Sequence, residues 1–441
     1  MKLAIVVQRY SADIDGGAEL HARYVAEHLS RHVRTEVVTT CARDYVTWRN
    51  ELAPGHESVN GVTVRRFPVR HERDVHEFAR WSERVFNRTH SLSDELAWLD
   101  AEGPTSPALV RHLGAERDAF DYFMFFSYRY YHAYHGLRQV ADRAVLVPTA
   151  ERDQAIGLSL FQPIFGGVRA LMYNSAEERA MIEAVAGRHD VPGVVVGVGS
   201  ELPARSEPER FRRKFGVHGP YAVYVGRIDR NKGCPELFTF FQRYIRATRS
   251  RLTLVLIGTA ILPVPDHPRI RHLGFLDDQD KFDAMAGAEA LIMPSYYESL
   301  SMVALEAWGM GRPVLANGKC DVLKGQCLRS NAGLYYETFA EFAEALKAIE
   351  SDRVLNRALG HLGRMFFQQH YAWPVVEGKY LDMFDRLQQD DLEKPRHGRI
   401  APLPGWIARR RRVLPAAQAV VDRLPSGAVI PSSASPAQVA Q

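Results

Sequence analysis

Cysteine is scarce in this chain of 441 residues. Only Cys41, Cys234, Cys320 and Cys327 occur, with no C-x-x-C pair and no histidine at ligand spacing. That excludes a disulfide framework and a cysteine-based zinc site, and it suits a reduced, cytosolic compartment. Long apolar runs are missing as well: none approaches the roughly 18 residues that a membrane-crossing helix requires. The opening "KLAIVVQ" is too short for the apolar core of a signal peptide and reads as a buried first strand. Lysine is rare beside arginine and alanine, which suits a GC-rich, bacterial coding sequence. Net charge is close to balanced, with Lys+Arg 56 against Asp+Glu 52, or +4. A basic body for nucleic acid is therefore not expected. The small excess is concentrated: 394–441 carries eight basic residues and one acid, Asp422, so the tail is +7 and the rest −3.

What is present is an ordinary soluble composition, 46% hydrophobic and 24% charged, on a chain too long for one compact core. Two α/β domains follow. In the first, residues 1–190, "LAIVV", "EVVTT", "VTVRRF", "DYFMFF", "AVLVPT" and "ALMYNS" are strand candidates. Helices are expected over 17–30, within 71–118 and from about 176. The glycines and prolines of "VPGVVVGVGSELP" mark a hinge over 191–207. A second domain, 208–370, opens on a helix. It continues through strands "YAVYV", "LTLVLIG", "IRHLG", "ALIMP" and "PVLAN". A terminal helix is expected over 371–387, then a basic, disordered tail over 388–441.

Two strings of the second domain carry chemistry. "VGRIDRNKG" (Val225–Gly233) places Arg227 and Lys232 just past a strand. "ESLSMVALE" places Glu298 and Glu306 around a helix start. Fixed cations suit a diphosphate, and carboxylates accept from sugar and ribose hydroxyls. Singly, each string also fits a solvated loop or a salt-bridged helix. Their order is what counts, because both fall at carboxyl ends of strands, where such sheets bind ligands. N–H groups near Ser299, Leu300, Ser301 and Met302 suit a phosphate, and Ser299 equally suits an N-cap. In the first domain, Gly16 and Gly17 lie between strand and helix. They fit either close approach to a ligand or a plain turn, and Glu19 behind them suits the helix dipole.

These motifs resemble a GT-B fold glycosyltransferase of the large retaining family 4. Gly226, Arg227 and Lys232 match its G-R-x-x-x-x-K, Glu298 and Glu306 its E-x-x-x-x-x-x-x-E, and Gly16 and Gly17 its glycine pair, over roughly residues 1–386. The resemblance implies two Rossmann-like domains facing across a donor cleft, the first on the acceptor side, and a 371–387 helix crossing back onto it. It assigns Glu298 to the donor sugar and Glu306 to the ribose. It implies no cofactor and no metal, with Arg227 and Lys232 taking the leaving group's charge. The acids "DID" (Asp13–Asp15) and "DDQD" (Asp277–Asp280) are read as loop and cap acids. Many members carry a histidine after the strand that here reads "VLVPTA"; this chain has Glu151, a candidate catalytic carboxylate or a mark of lost catalysis. His132 and His135 are read as core residues.

The expected protein is a metal-independent retaining hexosyltransferase. It uses a nucleotide-sugar donor and a glycan or lipid-linked acceptor in bacterial surface polysaccharide synthesis. The alternatives are a non-catalytic sugar-nucleotide-binding subunit and an epimerase on the same fold. Residues 405–414, "GWIARRRRVL", suit either a solvated tail or a peripheral contact with an anionic membrane at the cytoplasmic face.

Overall fold

The structure, a computed structural model, describes residues 1–14, 16–187 and 190–430. The chain forms two compact units. One holds Met1–Val196 with Glu377–Pro425; the other holds Gly197–Val376 with the described residues from Ser426 on.

The first unit is built on eight strands in the order Gly55–Val59, Val62–Phe67, Arg34–Thr40, Lys2–Val6, Tyr122–Phe126, Ala144–Val147, Ala170–Tyr173, Gly193–Val195. All neighbours are parallel except the first pair. The chain fills one side of Lys2–Val6 and then returns to lay Tyr122–Phe126 on the other, which makes that pair the switch point. Every residue of Tyr122–Phe126 and Ala144–Val147 is buried, as strands covered on both faces require.

The second unit is an all-parallel sheet of six strands, ordered Ile270–His272, Thr253–Ile257, Tyr221–Val225, Leu291–Met293, Val314–Asn317, Gly333–Tyr336. Alternate residues feed two separate cores. Val223, Val225, Val255 and Ile257 pack into one, and Ala222, Tyr224, Leu254 and Leu256 into the other. This is the period-two pattern of a sheet buried on both faces. Its switch point lies between Tyr221–Val225 and Leu291–Met293.

The structure departs from the sequence reading in four places. The edge strand Gly55–Val59 was not anticipated, because "GHESV" is polar and exposed. Its signal was the Asn60–Gly61 pair, whose φ values of 50° and 83° form the two-residue turn of a hairpin. The hinge expected over 191–207 begins too early, since Gly193–Val195 pairs with Ala170–Tyr173 as the last strand of the first sheet. The tail expected to be disordered over 388–441 carries helices, a short strand and buried residues in its described part. The terminal helix runs Trp373–Glu393, not 371–387. Beyond it, Ile400, Leu414, Ala417 and Val421 are buried in the core of the first unit. Val413–Leu414 pairs antiparallel with His90–Ser91, and helices form over Trp406–Arg411 and Ala417–Val421. Four apolar residues dispersed among arginines escaped a compositional reading, yet they suffice to anchor the segment. Within the predicted tail, 431–441 lies outside the described residues.

Candidate functional site

The two strings of the second unit flank its switch point. "VGRIDRNKG" leaves Tyr221–Val225, and Glu298 follows Leu291–Met293 after a short loop. Gly226 turns with φ 148°, a conformation that only glycine adopts readily. At Gly233, φ is 71°, and a Cβ would lie 2.0 Å from the Pro294 oxygen, so glycine lets the basic loop rest against the loop leading to Glu298. That contact places Lys232 Nζ 2.7 Å from Glu298 Oε1. Asp229 organises the turn: its carboxylate accepts from the Lys232 N–H at 2.7 Å and from Arg227 Nε. Tyr224 donates its hydroxyl to the Arg227 carbonyl at 2.7 Å. Two cations therefore sit at the strand ends, each held by a carboxylate. Arg227 remains half exposed and Lys232 about a third.

After Glu298 the chain enters the helix Met302–Gly309. The cap is Ser301, not Ser299: Ser301 Oγ accepts from the Ala304 N–H at 3.3 Å. Ser301 holds φ 100°, a strained value for a residue with a Cβ, costing about 1 kcal/mol or more. Leu300 is buried in the core, so it can offer a ligand only its backbone. Glu306, about one turn in, is 6% exposed. Its Oε1 accepts from Lys281 Nζ at 3.2 Å, while its Oε2 is buried without a hydrogen-bond partner. Burial pushes this carboxyl above its usual range, and Lys281 pulls it back. A buried acceptor left open is costly unless something fills it.

Gly16, Gly17 and Glu151 belong to the first unit. Gly16 caps the helix Gly17–Leu29, and Gly17 opens it onto free space. A Cβ at Gly16 would come within 2.3 Å of Glu19 Oε2. Glu19 thus does more than face the helix dipole: it forms a buried pair with Arg9 at 2.7 Å over the glycine. Glu151 follows Ala144–Val147 through Thr149, which has φ 48°. This turn is pinned by Glu178, whose buried carboxyl oxygens accept from the Ala150 and Asn174 N–H groups. Burial raises the Glu178 pKa to about 8; the backbone donors lower it, and Glu151 adds a small upward push.

The expected structural residues behave as such. Asp277 caps the helix Asp278–Gly287, Asp280 pairs with Lys214, and Asp13 pairs with Arg43. Asp15 lies outside the described residues. His132 is fully buried and pushed down to about 3 by burial; His135, largely buried, is pushed down to about 4. All four cysteines are buried free thiols. Sequence reading missed Asp229, Lys281 and Glu178. Asp229 was visible two residues after Arg227, whereas Lys281 reaches Glu306, and Glu178 reaches the Ala150 N–H, only through tertiary packing.

The two units, each a doubly wound α/β sheet, have the GT-B fold, which the solved structures similar to this chain share. HepE of Anabaena, solved with UDP-glucose, superimposes with a TM-score of 0.63 over 88% of this chain and 100% of that one, at 15% identity. Residues 219–352 match the family described as Glycosyl transferases group 1. Among curated proteins, it is 30% identical over 207 residues to alpha-maltose-1-phosphate synthase of Mycobacterium tuberculosis. That match covers 42% of this chain and about half, 52%, of the relative. It is 28% identical to D-inositol 3-phosphate glycosyltransferase of Frankia alni, over 66% of this chain and 76% of that protein.

Proposed function

We propose that this protein transfers a hexosyl group from a nucleotide-diphosphate sugar to a hydroxyl of a glycan or lipid-linked acceptor in bacterial surface polysaccharide synthesis. The observation that carries this reading is the pairing of Lys232 with Glu298 at the switch point, in the unit where Glu306 Oε2 stands open. Arg227 and Lys232 would hold the diphosphate and take up the charge that grows on it as the glycosidic bond breaks. Preorganised donors of this kind contribute about 3 kcal/mol each to lowering a barrier, so the reaction on this reading needs no metal. Glu298, loosened from Lys232 by the diphosphate, accepts from donor-sugar hydroxyls, and Glu306 accepts from the ribose. Gly17 leaves room at the helix start, Gly16 seats the Glu19–Arg9 pair beside it, and Glu151 supplies a carboxylate in the first unit. Retention of configuration is inferred from the family resemblance.

Among the described residues no helix is long and apolar enough to cross a membrane. Trp406 and Ile407 are exposed beside Arg409–Arg412, which suits peripheral contact with anionic lipid next to a lipid-linked acceptor. The test is nucleotide release from UDP-, GDP- and ADP-sugars in the presence of chelator, with the anomeric configuration of the product read by NMR. Release in chelator with a retained anomer is the expected result. A metal requirement or an inverted product refutes that part of the mechanism. Tight donor binding without turnover, with and without acceptor, would favour instead the sugar-nucleotide-binding subunit that Glu151 suggests.

A further inference from the structure

Among the described residues Glu306 accepts from one donor, a lysine which no sequence motif marks. Lys281 lies on the helix Asp278–Gly287, and its side chain is 17% exposed. Its ammonium is 3.2 Å from Glu306 Oε1 and 3.0 Å from Asp278 Oδ1, with the ring of Phe282 4.4 Å away. An ammonium offers three donors and no acceptor, while an ionised carboxylate is acceptor-only. Lys281 thus occupies one oxygen of Glu306 and leaves the other, buried and unpartnered, for a ligand.

Resting on the functional reading above, we propose that Lys281 is a positioning residue for the donor: it fixes Oε1 of Glu306 so that Oε2 meets the vicinal hydroxyls of the ribose. The charged groups that act on Glu306 are Lys281 and Asp278 of the neighbouring helix. Burial favours the protonated acid, which would present a hydroxyl donor in place of an acceptor, and Lys281 opposes that. Burial likewise works against the charge on Lys281, but Glu306 and Asp278 outweigh it and hold the ammonium protonated. The pair therefore sets both the rotamer and the charge of the acceptor. Asp278 is largely exposed and does not substitute for Lys281, because it repels the Glu306 charge. A carboxylate so held discriminates between a ribose and a 2′-deoxyribose, since removing one hydroxyl strands a buried acceptor.

The experiment compares wild type, Lys281→Met, Lys281→Arg and Glu306→Gln. Calorimetry measures binding of UDP, GDP and ADP and of their 2′-deoxy counterparts between pH 6 and 9. For the nucleotide that wild type binds, the ribo form should be preferred, with an affinity that is flat across this range. Lys281→Met should bind it about tenfold or more weakly near neutral pH, the scale expected when a buried charge loses its partner. Its affinity should recover as pH rises and Glu306 ionises. Its ribo-to-deoxy ratio should collapse toward that of Glu306→Gln, and Lys281→Arg should restore both. The ratio is taken within one preparation, so partial unfolding does not move it. With a turned-over donor, the loss should appear in KM and spare kcat. A wild type that binds a nucleotide, with a Lys281→Met variant matching its affinity, pH profile and ratio, overturns this inference alone. A wild type that binds none of the nucleotides overturns it together with the functional reading.

Discussion

Replacing Lys232 with methionine separates catalysis from stability. The Lys232–Glu298 pair is made at 2.7 Å, but the lysine side chain is about a third exposed. Pairs this open to water contribute about 0–1 kcal/mol to folding, so the melting temperature should move by only a few degrees. The effect on the reaction should be larger. On the proposed function the diphosphate gains charge as the sugar departs, so an ammonium held beside it would stabilise the transition state more than the bound donor. Loss of one such donor costs about 3 kcal/mol, which is about a hundredfold in rate. The assay is nucleotide release at saturating donor, with a thermal melt on the same preparation. Methionine keeps the length and apolar stem of lysine, so packing against the Gly233 turn is preserved. Lys232→Arg should keep part of the rate, because it keeps the charge. Lys232 does not hold the leaving group if Lys232→Met retains kcat within about threefold, and the pair is structural if its melt falls as far as that of a core cavity mutant, which loses about 2–5 kcal/mol.

Three further outcomes follow from the geometry. Truncation after Glu393 removes Ile400, Leu414, Ala417 and Val421 from the first core, so the shortened chain should melt well below the full one; an unchanged melt would mean that the segment is only draped over the surface. Glu178 stays protonated when folded up to about pH 8, against 4.5 for the same group in an unfolded chain, so its stabilising share is complete below 4.5 and is lost as pH climbs through 8. Glu178→Gln should accordingly flatten the fall in stability over that window, as read by urea melts at several pH values, and an identical slope in both proteins would contradict the assignment. Reversing Arg410 and Arg411 to glutamate should lower recovery of the protein on anionic vesicles and leave neutral vesicles unaffected, at about 1 kcal/mol for each basic residue removed.

The sequence alone determined the features set by local chemistry: apolar runs long enough for buried strands, glycines where the chain turns, and cations and carboxylates at strand ends. Tyr221–Val225 reads as a buried strand because both faces are apolar, and Arg227 and Lys232 follow it by simple adjacency. Which strands neighbour one another was not legible, because parallel pairing joins residues far apart in the chain. Only the tertiary structure set Tyr221–Val225 beside Leu291–Met293, and so Lys232 against Glu298. The same holds for Lys281, 25 residues before Glu306 and joined to it only where two helices pack. It holds also for the tail, whose sparse apolar residues look solvated until the first core gives them somewhere to be buried. Local order needs only neighbouring residues; a buried charge pair and a docked segment need the whole fold to exclude water around them.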